Sequence, residues 1–242
     1  MAKRITPSVH RPSQGRTLAL EAIRVRSLGG FKVNVGSRPI EDGAWRLRKA
    51  ASLVKVLCLA PGHRMHREQA MDLLWPDSDR RAASNNLRQA LHAARGAIDP
   101  TMGHHYLASQ DEQLVLCPGG EVLVDAEAFE EAAATARRGR DPAAYRAALE
   151  LYAGDLLPDD RYEEWAEGRR EELRRLHLEL LVELAMLYEE REEYEPAIEA
   201  LRQVISEEPS FEEAHKTLMR HYAITDRREQ ALSQYGRLRD AL

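Results

Sequence analysis

The hydrophobic period changes twice along the chain, and this limits the folds open to it more than any other feature. Ile23 and Val25 alternate with Arg24 and Arg26, which predicts a half-buried strand over 23–28. Gly29-Gly30 predicts a turn, Phe31–Val35 a second strand, and Arg38–Ile40 a short extended piece. From Trp45 the period is helical, with Leu47, Ala50, Val54 and Leu57 on one face and Pro61-Gly62 as a stop. A shorter helix over about Arg67–Leu74 ends at Trp75-Pro76, and the polar loop Asp77–Arg80 leads into a third helix that carries SNNLRQALHAAR, residues 84–95. Asp99-Pro100 closes that helix. Tyr106–Ser109 and Leu114–Cys117 then flank Gln110-Asp111-Glu112-Gln113 as a hairpin. Strands, three helices and a hairpin in this order make a winged helix-turn-helix.

From about Asp125 onward the pattern is helical throughout. Leu184, Tyr188, Ala197 and Leu201 recur as Leu218, Tyr222, Ala231 and Tyr235, each displaced by 34 residues, and Pro209 ends the first unit. That is the tetratricopeptide period, in which a small Ala lets paired helices approach and the aromatics fill the gap. The expected fold is therefore mainly α: an N-terminal winged helix-turn-helix followed by an all-α tetratricopeptide-like domain. The expected division is a disordered basic tail over 1–19, the winged helix over 20–122 and the helical domain over 123–242.

Charge divides along the same line. Residues 1–104 hold 18 Lys/Arg and 8 Asp/Glu, a balance of +10, whereas residues 105–242 hold 17 and 32, or −15. A basic half beside an acidic one suggests that only the first meets a polyanion. Hydrophobic content of 43% with 31% charged residues suits a soluble globular chain, and no apolar run approaches the roughly 18 residues of a membrane span. The opening MAKRITPSVHRPSQGR lacks the apolar segment of a secretory leader, so a cytoplasmic location is expected. Cys58 and Cys117 sit among apolar residues and are expected to be reduced core thiols.

The third helix carries the most chemistry. Ala83, Leu87, Leu91, Ala94 and Ile98 form its buried stripe, so Ser84, Asn85, Arg88, Gln89, His92 and Arg95 share the opposite face. This is a base-reading set: Arg pairs bidentately with guanine, and Asn or Gln with adenine. The face has no acid, which suits placement against phosphates. Ser84, Asn85, Arg88, Gln89 and His92 are the expected base-reading residues. Arg46, Arg48, Lys49, Arg67, Arg80, Arg81 and Arg95 are candidates for DNA-backbone contacts, with a phosphate expected at the helix N-terminus beside Arg80 and Arg81. The wing turn is acidic, which suits minor-groove insertion poorly.

No phosphate-binding loop, dinucleotide fingerprint or H-E-x-x-H occurs, so no enzyme activity, cofactor or metal is expected. Cys58, His63, His66 and His104-His105 are loosely spaced like metal ligands, but Cys58 lies between Leu57 and Leu59 and reads as a buried thiol. Asp159, Asp160, Glu163 and Glu164 could imitate a catalytic pair and are expected to be solvated surface acids. The competing function is a protein-interaction module that uses the helical repeats and reads no DNA.

With these residues in hand, the chain resembles the Streptomyces antibiotic regulatory protein (SARP) type of transcriptional activator over about 22–242. SNNLRQALHAAR is similar to that family's recognition helix, and WPDSDRRAASNNLRQALH to its helix–loop–helix junction. LVDAEAFEEA at 123–132 and ALELYAGDLLPDDRYEEWAEGRREELR at 148–174 resemble its bacterial transcriptional activator domain, with Tyr152, Gly154, Asp155, Leu157, Pro158, Glu164 and Trp165 in place. The resemblance implies a homodimer on direct repeats of double-stranded DNA near a promoter. It also implies recruitment of RNA polymerase through the loop of Pro76, Asp77, Ser78 and Asp79. Two departures stand: the acidic wing, and the lack up to Leu242 of the ATPase or sensor domain that larger relatives append.

Overall fold

The computed structural model describes residues 20–100 and 106–241, so the expected tail at 1–19 and His104-His105 lie outside the described residues. Within them, alternation gives strand β1 (Ile23–Arg26), with Ile23 and Val25 buried and Arg24 and Arg26 exposed. β1 pairs antiparallel with β2 (Lys32–Val35), and β2 with β3 (Arg38–Ile40). Helix α1 spans Arg48–Leu59 and buries Ala50, Val54 and Leu57. Leu47, expected on that face, is instead the extended residue preceding the helix and is 42% exposed. A three-residue strand, β4 (Arg64–His66), separates α1 from α2 (Arg67–Leu74).

Helix α3 spans Arg80–Ile98 and begins four residues before the SNNLRQALHAAR segment, because Asp79 caps it there. The wing consists of β5 (Leu107–Gln110) and β6 (Gln113–Leu116). Its turn is tighter than expected: Asp111 and Glu112 alone form it, with φ of 45° and 62°, the left-handed pair that suits the twist of a two-residue hairpin. β4 adds to β6, giving a sheet of order β4-β6-β5. β7 (Val122–Val124) then returns to the first sheet and pairs parallel with β1.

The second part is a series of helical pairs: α4 (Asp125–Gly139) with α5 (Pro142–Leu151), α6 (Glu164–Glu190) with α7 (Tyr194–Glu207), and α8 (Glu212–Ile224) with α9 (Arg228–Ala241). The 34-residue repeat relates α6–α7 to α8–α9. Leu184, Tyr188, Ala197 and Leu201 are buried, as are Leu218 and Tyr222. Tyr235 departs from the expectation that it fills a gap: it is 60% exposed, since no helix follows α9 among the described residues to cover it.

The two parts share one continuous apolar core and meet through polar contacts as well. Asp125, at the start of α4, accepts hydrogen bonds from Ser27 N (2.7 Å), Ser27 Oγ (2.6 Å) and Leu28 N (3.0 Å). The loop between α5 and α6 then runs beside β1: Leu28 bridges Leu156, Leu157 N donates to Ser27 O (2.9 Å), and Gly29 N donates to Asp155 O (3.0 Å). Gly29 has φ 70°, and a Cβ there would lie 2.6 Å from the Ala153 carbonyl oxygen, so only glycine permits this approach.

Deepest in the junction, Lys55 of α1 donates to Asp160, both side chains being nearly fully buried, and the ammonium lies 4.7 Å from the Phe31 ring centre. Asp160 is thus not the solvated acid expected from its sequence surroundings. Nor is Glu163, which accepts from Trp165 Nε1 (2.9 Å), Lys49 (3.4 Å) and Arg48 (3.5 Å). Burial opposes the Glu163 charge, but the Trp165 hydrogen bond and Lys49 outweigh it and hold its carboxyl below the usual range.

Replacing one member of a buried pair strands the other, so Lys55→Met should lower stability by about 3–5 kcal/mol. The double variant Lys55→Met/Asp160→Leu should recover much of that loss, as measured by urea denaturation. A depressed folded-state value means that Glu163 stabilises the fold above the unfolded carboxylate range. This contribution disappears as pH falls through the folded value. Glu163→Gln should therefore shrink the stability lost on acidification from about pH 5 to about pH 3, by comparison of melting temperatures across that window.

Candidate nucleic-acid interface

The site begins with the packing of α3. Ala83, Leu87, Leu91, Ala94 and Ile98 are all buried, and α3 packs on α1 and α2. This leaves Asn85, Arg88, Gln89 and His92 exposed along one face, with Ser84 half-buried at its start. Arg88 donates to Asn85 Oδ1 (3.2 Å), so one turn of the helix presents a guanidinium already oriented by an amide.

Across from this face lie Gly43, Ala44, Arg46 and Leu47, and together with Arg88, Gln89, His92 and Gly96 they enclose a groove of about 1010 Å³. Arg46 is therefore the candidate backbone residue that the fold brings to the base-reading face. Arg81 is exposed at the other end of α3, and neither residue makes an ion pair among the described residues.

The other basic candidates are engaged within the molecule. Arg48 and Lys49 turn to Glu163 in the helical part, and Arg80 pairs with Glu68. Arg67 pairs with Glu112 of the wing (3.7 Å), whose carbonyl also accepts from Arg67 N (2.9 Å). Arg95 Nε donates to Leu107 O (2.9 Å), and burial followed by the nearby Arg67 charge lowers its pKa from the ordinary arginine value. The wing acidity that looked misplaced in the sequence is thus partly neutralised: Glu112 ties the hairpin to the start of α2.

One expectation is overturned. The N-terminus of α3 is not open to a phosphate, because Asp79 accepts from both Arg81 N and Ala82 N at 2.9 Å. A carboxylate already satisfies these amides and cancels the local dipole. In the loop before it, Pro76, Asp77 and Asp79 are exposed and Ser78 is half-buried, with Ser78 N donating to Trp75 O (3.1 Å).

Nothing in the geometry assembles a metal site around Cys58. Its thiol is buried, with burial raising its pKa far above the ordinary value, and His63 Nδ1 lies 3.2 Å from the Cys58 carbonyl oxygen rather than turning to the sulfur. No group of three His, Cys, Asp or Glu side chains suited to a metal ion occurs among the described residues, and no described helix is long and apolar enough to cross a membrane.

Comparison with known proteins agrees with this architecture. Residues 124–242 match the model of the bacterial transcriptional activator domain family. No curated protein matches the chain. Among solved structures, the fold is similar to Mycobacterium tuberculosis EmbR in complex with a low-affinity phosphopeptide, with a TM-score of 0.69 at 19% identity over 89% of this chain. The chain spans 58% of that protein, and at this identity the likeness is one of fold. The likeness thus shows a shared fold, a winged helix followed by an all-α part, and the family match falls on that second part.

Removing the Asp79 carboxylate should expose the first amides of α3 and lower stability by about 0.5–2 kcal/mol. Hydrogen exchange of Asp79→Ala should show the loss of protection confined to the first turn, at Arg81 and Ala82.

Proposed function

We propose that the chain is a sequence-specific DNA-binding transcriptional activator working in the cytoplasm without enzymatic activity. The observation that carries this reading is the exposed, acid-free face of α3 with Arg46 across the groove from it. Asn85, Arg88, Gln89 and His92, with Ser84 at the edge, read base edges in the major groove, and Arg46 and Arg81 hold the flanking phosphates. The loop of Pro76, Asp77, Ser78 and Asp79 contacts RNA polymerase, and two copies sit on direct repeats as a homodimer. Residues 20–122 form the DNA-binding unit and 123–242 the activator domain, although β7 spans that boundary and pairs with β1. Arg48, Lys49, Arg67, Arg80 and Arg95 then serve to position the reading head, through the partners already described.

The test is a gel-shift series on the chain's own upstream DNA at two salt concentrations, with the operator first obtained by selection from a random pool. Arg88→Ala should cost about 1–3 kcal/mol on the selected site and relax preference at one position. Arg46→Ala should weaken selected and random DNA alike and reduce the salt slope by about 1. Lys49→Ala should leave that slope unchanged, since Lys49 is paired with Glu163. No shift on any promoter fragment, alongside tight binding of a protein partner, would replace this reading with the interaction module.

A further inference from the structure

A second acid-free surface lies in the most acidic part of the molecule. Between α7, α8 and α9 a cleft of about 650 Å³ opens, with Leu218 and Tyr222 among its apolar lining and Arg202 and Arg237 among its polar one. No carboxylate lines it, although residues 105–242 carry 32 acids against 17 Lys/Arg. Two acids that follow the lining residue Ser206 are turned to other partners. Glu207 is engaged by His177 and Gln203, and Glu208 by Arg174 and Ser210.

Six arginines in this part, Arg137, Arg140, Arg169, Arg174, Arg220 and Arg227, each pair with a glutamate. Arg202 and Arg237 pair with none among the described residues. Arg202 Nε instead donates to the Tyr222 hydroxyl (3.0 Å), which leaves its charge uncompensated. The hydroxyls of Ser206 and Ser233 add donors to the same cleft.

The base of the cleft is organised by a buried relay. The Pro209 carbonyl can only accept, so His215 Nε2 donates to it (2.9 Å) and Nδ1 accepts from the Gln234 amide (2.7 Å). Gln234 is 3% exposed and lines the cleft, so its second amide N–H and its carbonyl oxygen are left to meet an occupant.

We infer that this cleft binds a small amphipathic anion. A carboxylate, sulfonate or phosphate group lies between the Arg202 and Arg237 guanidiniums, and an apolar or aromatic body rests on Leu218 and Tyr222. The volume falls within the roughly 300–1,000 Å³ of small-molecule sites, and two guanidiniums are the donors best matched to a planar or tetrahedral anion. The site lies on α7–α9 and does not depend on whether α3 reads DNA.

The probe is 8-anilinonaphthalene-1-sulfonate, titrated by fluorescence against the full chain. Saturable binding of one dye is expected, with affinity about ten-fold weaker in Arg202→Gln and in Arg237→Gln, as for the loss of one charge-assisted contact. Arg228→Gln, outside the cleft, should leave it unchanged. Phenyl phosphate and benzoate are the competitors, and the stronger of the two identifies the preferred head group. Both arginines are exposed, and equal urea midpoints for all variants verify that the fold is intact. Unchanged affinity in the double variant, or an equal loss in Arg228→Gln, would overturn the site. So would displacement of the dye by a polyglutamate peptide but by neither small anion, which would make the cleft a groove for an acidic segment.

Discussion

The position of α3 depends on a charged pair buried where two oppositely charged halves meet. Lys55 sits in the middle of α1, whose apolar face packs against α3, while its ammonium reaches across the junction to Asp160. A buried pair adds little net stability compared with apolar residues of similar size, yet it penalises any arrangement in which the partners separate. It therefore acts on geometry. Asp125 on Ser27 and Leu28, and the backbone contacts of Leu28 with Leu156 and Gly29 with Asp155, fasten the same seam from the side of β1. Interfaces between domains of one chain are commonly polar and mobile; here a shared core and a desolvated ion pair tie α3 to the helical part.

This seam also redistributes charge. The first 104 residues carry a balance of +10, but it is not spread evenly over their surface. Arg48 and Lys49 are used against Glu163, and Lys55 against Asp160, so the side of α1 that faces the helical part is neutral. Arg67 and Glu112 cancel at the wing, and Arg80 and Glu68 at the start of α3. Of the candidate contact residues, Arg46, Arg81 and Arg88 are engaged by neither an acid nor a backbone carbonyl among the described residues, and the first and last of these face one groove. Sequence counting gives a basic domain; pairing in three dimensions separates the candidate contact charges that acids cancel from those they leave.

Much of the fold was legible in the sequence because its helices are strongly amphipathic. The stripe of α3, the limits of α2 and the 34-residue repeat follow from side-chain spacing alone. β4 and β7 were not legible. Each has three residues, too few for a period of two to show, and each owes its existence to a partner strand distant in sequence. The exposed face of α3 was legible for the same reason as the helix, since it is whatever the buried stripe leaves outside. The backbone candidates were less so, because Lys49 and Glu163 stand 114 residues apart and composition cannot reveal which arginine meets which acid. The segment around Gly154, Asp155 and Pro158 resembled a family pattern without a visible reason. The structure supplies one: that loop is the seam.

An acidic helical part has a physical consequence for a neighbour that meets a polyanion. On the DNA-binding reading proposed above, like charge would disfavour every orientation that brings α4–α9 toward a duplex and would steer encounter to the face of α3. Glutamate is then the default surface residue of that part, and a surface without it is an exception with a cause. On α3 the absence accompanies exposed Asn, Arg, Gln and His. In the cleft of α7–α9 it accompanies two arginines that share one lining with Leu218 and Tyr222. A carboxylate placed in that lining would repel the anionic occupant inferred for it, so the absence of acid there is the arrangement such an occupant requires.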